Sequence, residues 1–105
     1  MKIAISATGN SLESVLDSRF GRCSYFVIYD TISHSIEFIP NPNKENIEGA
    51  GTASIALIAS RGAGKVVSGE FGAKVKALTD SLKIQLIVLK DPVKTVSEII
   101  QMLDH

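Results

Sequence analysis

The shortest connection between two strand-like segments constrains the fold most. Residues 25–29 are aromatic and β-branched, and residues 35–39 alternate polar with apolar side chains, as strands do. The intervening residues 30–34 are too few for the crossover helix that parallel strands require. We therefore predict an antiparallel hairpin whose second strand has one face in water.

The rest of the chain alternates strand and helix signals, which favours an α/β domain with a mixed sheet. Further strands are predicted over residues 3–6, 65–68 and 84–89. The last is a near-continuous apolar run, typical of a strand that is covered on both faces and parallel to its neighbour. A single helical turn is expected at residues 12–16.

Three longer helices are predicted in the second half. Residues 52–59 are apolar nearly all round, and Gly62 supplies the C-terminal stop. Thr95 and Glu98 form a capping box for the last helix. The middle helix leaves Lys74 on its solvent side and has an apolar stripe of four residues: Phe71, Val75, Leu78 and Leu82.

Length and charge exclude several classes of protein. The 105 residues leave room for one domain, residues 1–105. The 11 Lys plus Arg balance the 11 Asp plus Glu, so no excess positive charge is available to bind nucleic acid. The single cysteine forbids an internal disulfide, and no signal peptide or apolar run long enough for a membrane span is present. We expect a cytoplasmic protein without membrane or nucleic-acid partners.

The glycine-rich segments are incomplete versions of phosphate-binding motifs. Residues 49–54 follow a loop instead of a strand, and residues 62–65 lack the serine or threonine of a phosphate loop. Four glycines nevertheless lie at two predicted helix starts: Gly49, Gly51, Gly69 and Gly72. Backbone N–H groups at such positions bind anions, although helix packing is an equally good reason for the glycines.

Two arginines flank an aromatic residue and a glycine just before the strongest strand. Arg19 and Arg22 could grip an anion bidentately. Alternatively, Arg19 pairs with Asp17, Phe20 fills the core and Gly21 allows the turn. The residues alone leave both interpretations open.

Cys23 is either a thiolate of lowered pKa that ligates a soft metal or a small buried hydrophobe. His34 in the hairpin turn and His105 at the last position are both predicted to be solvated, so neither is an oriented catalytic base. We predict no catalytic residues.

Five segments, taken together and in this order, resemble the dinitrogenase iron-molybdenum cofactor biosynthesis (cofactor-binding) family over nearly the whole chain. They are KIAIS at 2–6, SRFGR at 18–22, YFVIYD at 25–30, GAG at 49–51 and VSGEFGAK at 67–74. The resemblance implies a ribonuclease-H-like α/β fold with a five-stranded mixed sheet, flanking helices and an antiparallel second strand. It also implies a non-enzymatic role in nitrogen fixation, since family members bind the iron-molybdenum cofactor or its iron-sulfur precursor during assembly.

The resemblance extends to site residues, with two departures. Phe20, Gly21, Gly69 and Gly72 match the family pattern. Cofactor-handling members tend to have histidine where this chain has Arg22, and often histidine or cysteine where it has Glu70. Cys23 is then the nearby soft donor. The predicted cofactor-binding residues are Arg19, Phe20, Gly21, Arg22, Gly49, Gly51, Gly69, Glu70 and Gly72, with Cys23 as the metal ligand.

We therefore predict a non-catalytic carrier for an anionic ligand, such as an iron-sulfur cluster or the iron-molybdenum cofactor. Binding would be weak in a monomer, or would use a homodimer that pools two copies of Cys23, with a protein partner in cluster assembly. The alternative is a protein-interaction or regulatory module that has lost cofactor binding, which Arg22 and Glu70 favour. A hydrolase of phosphorylated substrates would rest on the glycine-rich helix starts alone.

Overall fold

The computed structural model describes residues 1–91 and 93–103, which form a five-stranded sheet with helices on both faces. The strands are β1 (Lys2–Ala7), β2 (Tyr25–Asp30), β3 (Ile36–Pro40), β4 (Ala63–Ser68) and β5 (Gln85–Val88). The helices are α1 (Ala50–Ser60), α2 (Ala73–Leu82) and α3 (Val96–Leu103), and a 3₁₀ turn spans Phe20–Arg22.

The sheet is mixed, with strand order β3-β2-β1-β4-β5. β2 runs antiparallel to both β1 and β3, and β4 runs parallel to β1 and β5. The hairpin and the predicted α/β fold with an antiparallel second strand are therefore confirmed. Because the three parallel strands are adjacent, their carboxyl ends meet at one edge of the sheet.

Alternating side chains divide the core between the two faces of the sheet. Ala4, Phe26 and Val66 face α1 and α2, in one buried cluster with Ile55 and Ile58 of α1. The intervening positions of the same strands face α3: Ile3, Ile5, Val27 and Val67. This period of two follows from the pleat and fixes the register of every strand.

Local signals at the helix ends are confirmed. Gly62 follows α1 with a φ of 83°, which is the left-handed conformation that glycine tolerates. At the start of α3, Thr95 N donates to Glu98 Oε1 at 3.1 Å, and Glu98 N donates to Thr95 Oγ1 at 3.1 Å. His34 is exposed, as predicted, and its Nδ1 lies 2.9 Å from Tyr29 Oη. The prediction for His105 falls outside the described residues.

The predicted helical turn at residues 12–16 is wrong. Leu16 N donates to Lys94 O at 2.9 Å, and Val96 N donates to Ser14 O at 2.9 Å. These backbone bonds join the segment after β1 to the start of α3. Long-range backbone pairing therefore replaces the predicted helical turn.

The last strand and α2 also differ from prediction. β5 is shorter than predicted and is an edge strand; Leu86 packs on the core at one face and Ile87 at the other, while Val88 remains 50% exposed. Phe71 packs on the core but precedes α2, and Leu82 at the other end of the stripe is exposed. Helix α2 begins at Ala73, after Gly72, so it does not include Phe71.

None of the helices formed by the described residues has the length and apolar character that crossing a bilayer requires.

We predict that Gly69→Ala destabilises the protein by about 1–3 kcal/mol, the usual cost of overpacking. A Cβ at Gly69 would lie 2.6 Å from Ser18 Cα, where the loop after β1 crosses the end of β4. Gly64→Ala within β4 is the matched control, because its Cβ would approach the Met1 side chain no closer than 3.6 Å. In urea unfolding, Gly69→Ala should have a lower midpoint concentration than Gly64→Ala. Equal midpoints would contradict the close approach of Gly69 to Ser18.

Candidate functional site

A cleft of about 490 Å³ opens where the 3₁₀ turn meets the first turns of α1 and α2. This is the end of the sheet where β1, β4 and β5 terminate. Most of the predicted binding residues line it: Arg19, Phe20, Gly21, Arg22, Gly49, Gly51, Glu70 and Gly72. Gly69 lies outside this cleft and lines a neighbouring cavity of about 190 Å³, which shares Glu70 as a wall.

Two helix N-termini converge on the cleft. Gly49 is the N-cap of α1 and Gly72 is the N-cap of α2, so neither helix has a side chain at its N-cap to bond the first-turn N–H groups. The residues of both first turns, 50–52 and 73–75, line the cleft. N–H groups that have no partner within their own helix, and the positive end of each helix dipole, therefore meet in one place.

Glycines allow these elements to approach each other closely. A Cβ at Gly21 would lie 2.6 Å from Gly51 N, and a Cβ at Gly51 would lie 2.7 Å from Val75 Cγ2. The turn and α1 are thus packed backbone against backbone, and the backbone of α1 lies against the Val75 side chain of α2. Gly72 differs, because a Cβ there would have no described atom within 4 Å.

Phe20 anchors the turn in the core. It is 3% exposed, and its ring centroid lies 5.4 Å from the centroids of both Phe26 and Phe71. Phe26 belongs to β2 and Phe71 immediately precedes Gly72. One aromatic side chain therefore fixes the turn relative to the sheet and to the start of α2.

Buried hydroxyl groups hold the loop after β1 against β4. Ser6 Oγ lies 2.7 Å from Asp17 O and 2.8 Å from Ser68 Oγ. Farther along the loop, Arg19 forms a single parallel bridge with Glu70. Sequence reasoning missed these serines, because only the strand register brings them together.

Arg19 lies at the rim of the cleft in an ion pair. Its Nε is 3.3 Å from Asp17 Oδ1, and the Asp17 side chain is 6% exposed whereas that of Arg19 is 60% exposed. Asp17 Oδ1 also accepts from Arg19 N at 2.9 Å. The structure therefore agrees with the second interpretation of this loop: Arg19 pairs with Asp17, and Phe20 is buried in the core.

Arg22 contributes to the cleft in a different way. Its Nη1 donates to the carbonyl oxygens of Lys44, at 3.0 Å, and of Asn46, and Nη2 donates to that of Ile47 at 3.4 Å. These acceptors belong to the loop that precedes α1. The guanidinium is thus bonded to the wall of the cleft.

Several lining residues were not predicted. Lys74 lines the cleft from the first turn of α2 and is exposed, so it lies on the solvent side that the helical stripe assigned to it. Its position two residues after Gly72 was the available signal. Ile47 and Glu48 also line the cleft, so Glu48 and Glu70 place two carboxylates beside the three cationic side chains.

Cys23 lies outside the cleft and is fully buried. Burial, reinforced by the nearby Asp17 carboxylate, raises the pKa of the thiol from the ordinary 9.0 to about 12. The alternative of a lowered pKa is therefore wrong, since desolvation favours the neutral thiol. The buried-hydrophobe interpretation fits this environment, and a thiol with no exposed surface is not available for pooling across a dimer interface.

Within residues 1–91 and 93–103, no group of three or more His, Cys, Asp or Glu side chains is placed to hold a metal ion. The described cleft residues include no Cys, His or Met. The donors that the cleft offers are N–H groups and cationic side chains.

The chain matches a known family and an archaeal relative. A family model described as dinitrogenase iron-molybdenum cofactor matches residues 1–104. An uncharacterised protein from Methanocaldococcus jannaschii is 32% identical over 89 residues, which cover 82% of this chain and 72% of the relative.

Solved structures with the same fold include two from bacteria. The apo form of the orange protein from Desulfovibrio gigas is 28% identical with a TM-score of 0.89, and the match covers 97% of this chain and 85% of that one. A Thermotoga protein provisionally called NifB, from the DUF35 family, is 25% identical with a TM-score of 0.82 and the same coverage. The fold of nearly the whole chain is thus shared with both proteins.

The Cys23 thiol is expected to resist iodoacetamide in the folded protein at pH 8 to 9.5, because burial disfavours the thiolate that reacts. Its raised pKa also means that its contribution to stability is present below the unfolded pKa, near 9, and is lost as the pH rises towards 12. The same chain in urea should react quickly, and faster as the pH rises. A Ser33→Cys, Cys23→Ala variant supplies an exposed control thiol. Rapid labelling of folded wild type would contradict the burial.

Proposed function

Because the chain belongs to the dinitrogenase iron-molybdenum cofactor family, we propose that its cleft binds an anionic metal-sulfur cluster as cargo during metallocluster assembly. The role is that of a non-catalytic carrier. Iron-sulfur precursors and the iron-molybdenum cofactor are the ligand class that the family description supports.

The convergence of two glycine-capped helix N-termini carries this proposal. The first turns of α1 and α2 line the same cleft, and both lack an N-cap side chain that would compete for their N–H groups. Both helices exceed two turns, so each presents a developed dipole. An anion between them accepts hydrogen bonds from backbone donors that are already oriented.

The donor set favours a cluster whose metal atoms already have their ligands. Backbone N–H groups and the cations Arg19 and Lys74 interact with sulfide or oxide atoms at the surface of such a cluster, not with its metals. The described lining supplies no soft side-chain donor that would replace a sulfide. Binding would then be by hydrogen bonds and charge.

Carboxylates in the cleft would keep this binding weak. Glu48 and Glu70 oppose an anion, and the Asp17 carboxylate already neutralises part of the charge on Arg19. Weak binding suits cargo that must be released to the next protein in assembly. It also makes the affinity sensitive to salt, since exposed charges are screened.

A protein-interaction module is the second candidate, and the same carboxylates favour it. Ile47, which is 95% exposed, lines the cleft next to Glu48. An apolar side chain beside two carboxylates suits a protein surface better than an inorganic anion. Failure of the wild-type protein to bind any metal-sulfur anion would support this candidate.

Gly72→Asp tests the carrier role directly. The N-cap φ of −73° and ψ of 162° suit aspartate, whose carboxylate would bond the first-turn N–H groups of α2 and repel an anion. We expect affinity for tetrathiomolybdate, measured anaerobically by calorimetry, to fall at least about tenfold, while thermal stability is kept or slightly raised.

Ile32→Asp is the matched control, because it adds the same charge at an exposed position in the β2–β3 turn, away from the cleft lining. Its affinity should equal that of the wild type. Equal affinities of Gly72→Asp and the wild type would contradict a cluster bound at the helix N-termini.

A further inference from the structure

The loop between β3 and α1, residues 41–49, forms one wall of the cleft and is tied to the 3₁₀ turn by side chains. Ile47, Glu48 and Gly49 at its far end line the cleft, and Gly49 is also the N-cap of α1. The position of this loop therefore sets both the width of the cleft and the start of one of its two anion-facing helices.

Arg22 holds the far half of this loop. Its guanidinium donates to three carbonyl oxygens within four residues, those of Lys44, Asn46 and Ile47. The Lys44 and Ile47 bonds measure 3.0 and 3.4 Å. These N–H groups are directed at the protein backbone.

Asn41 holds the near end of the same loop. Its Nδ2 donates to Gly21 O at 3.0 Å and to Cys23 O at 2.9 Å, and its side chain is buried. Both ties lead to the same short turn. The loop is thus anchored at each end to the segment that carries Arg22.

The chemistry of the ties explains why arginine serves here. A guanidinium has five N–H donors in a fixed plane, so one side chain satisfies several carbonyls of a loop that has no strand partner. A lysine ammonium has the same charge but is a compact point donor on a flexible chain. Charge alone would therefore not reproduce the contacts of Arg22.

We propose that Arg22 is a positioning residue, which fixes the 41–49 loop and thereby the α1 side of the cleft, and that its charge is not the main contribution to ligand binding. This differs from the expectation that both arginines grip the anion. The statement that Arg22 affects ligand affinity rests on the proposed carrier function. The statement that Arg22 fixes the 41–49 loop rests only on the hydrogen bonds described above.

Two variants distinguish the positioning role of Arg22 from the effect of its charge. Arg22→Lys keeps the charge and Arg22→Gln removes it. Both should raise the hydrogen exchange rate within residues 44–50 at least about tenfold at the Asn46 amide, which donates to Asn43 O at 3.1 Å, because the loop that holds this bond is released. Both should also weaken tetrathiomolybdate binding alike, and Arg22→Lys should keep the wild-type dependence of affinity on salt.

Controls report on charge and on the fold. Lys74→Gln removes a cleft charge without touching the loop ties, so it should flatten the salt dependence while leaving exchange at 44–50 unchanged. Arg61→Lys alters an arginine that pairs with Glu37 at 2.6 Å and should change neither readout. Exchange of β1 amides shows in each variant whether the sheet is intact.

Each outcome decides the inference. Unchanged loop exchange in both Arg22 variants with an intact sheet would overturn it, whatever the ligand does. Wild-type affinity in Arg22→Lys with weak binding in Arg22→Gln would overturn it in favour of direct charge contact. If the wild type binds no anion, the carrier function fails by itself, and faster loop exchange still supports the positioning role.

Discussion

Direct backbone contact between the 3₁₀ turn and the first turn of α1 is the constraint on which the site depends. Gly21 permits it, because any side chain there would meet the main chain of residues 50 and 51. Gly51 extends the contact to α2 through Val75. Without these close contacts, side chains would separate the two helix N-termini, and their N–H groups would not face the same ligand.

The two arginines of the cleft are already engaged by other groups of the protein. Arg19 is paired with a nearly buried carboxylate, and Arg22 is bonded to loop carbonyls. Lys74 and the helix dipoles are then the leading attraction for an anion, against the carboxylates of Glu48 and Glu70. Under the proposed carrier function, a site balanced in this way would release an anion readily, as cargo transfer requires.

Local signals in the sequence were sufficient for much of the fold and for part of the site. The hairpin, the Gly62 stop and the capping box at Thr95 each depend on a few neighbouring residues, so their patterns predict them. The family resemblance, not any chemical motif, indicated that the arginine loop and the distant glycines belong together. Tertiary contacts decided the rest: burial raises the pKa of Cys23, and backbone bonds to residues 94 and 96 replace a helix at residues 12–16.

The most direct test is to titrate the isotopically labelled wild-type protein with tetrathiomolybdate and follow its backbone amides by NMR. The account predicts saturable shifts centred on the amides of residues 50–52 and 73–75, with amides of the β2–β3 turn unaffected. Shifts confined to other surfaces, or none at concentrations where binding is detected by calorimetry, would contradict an anion held between the two helix N-termini.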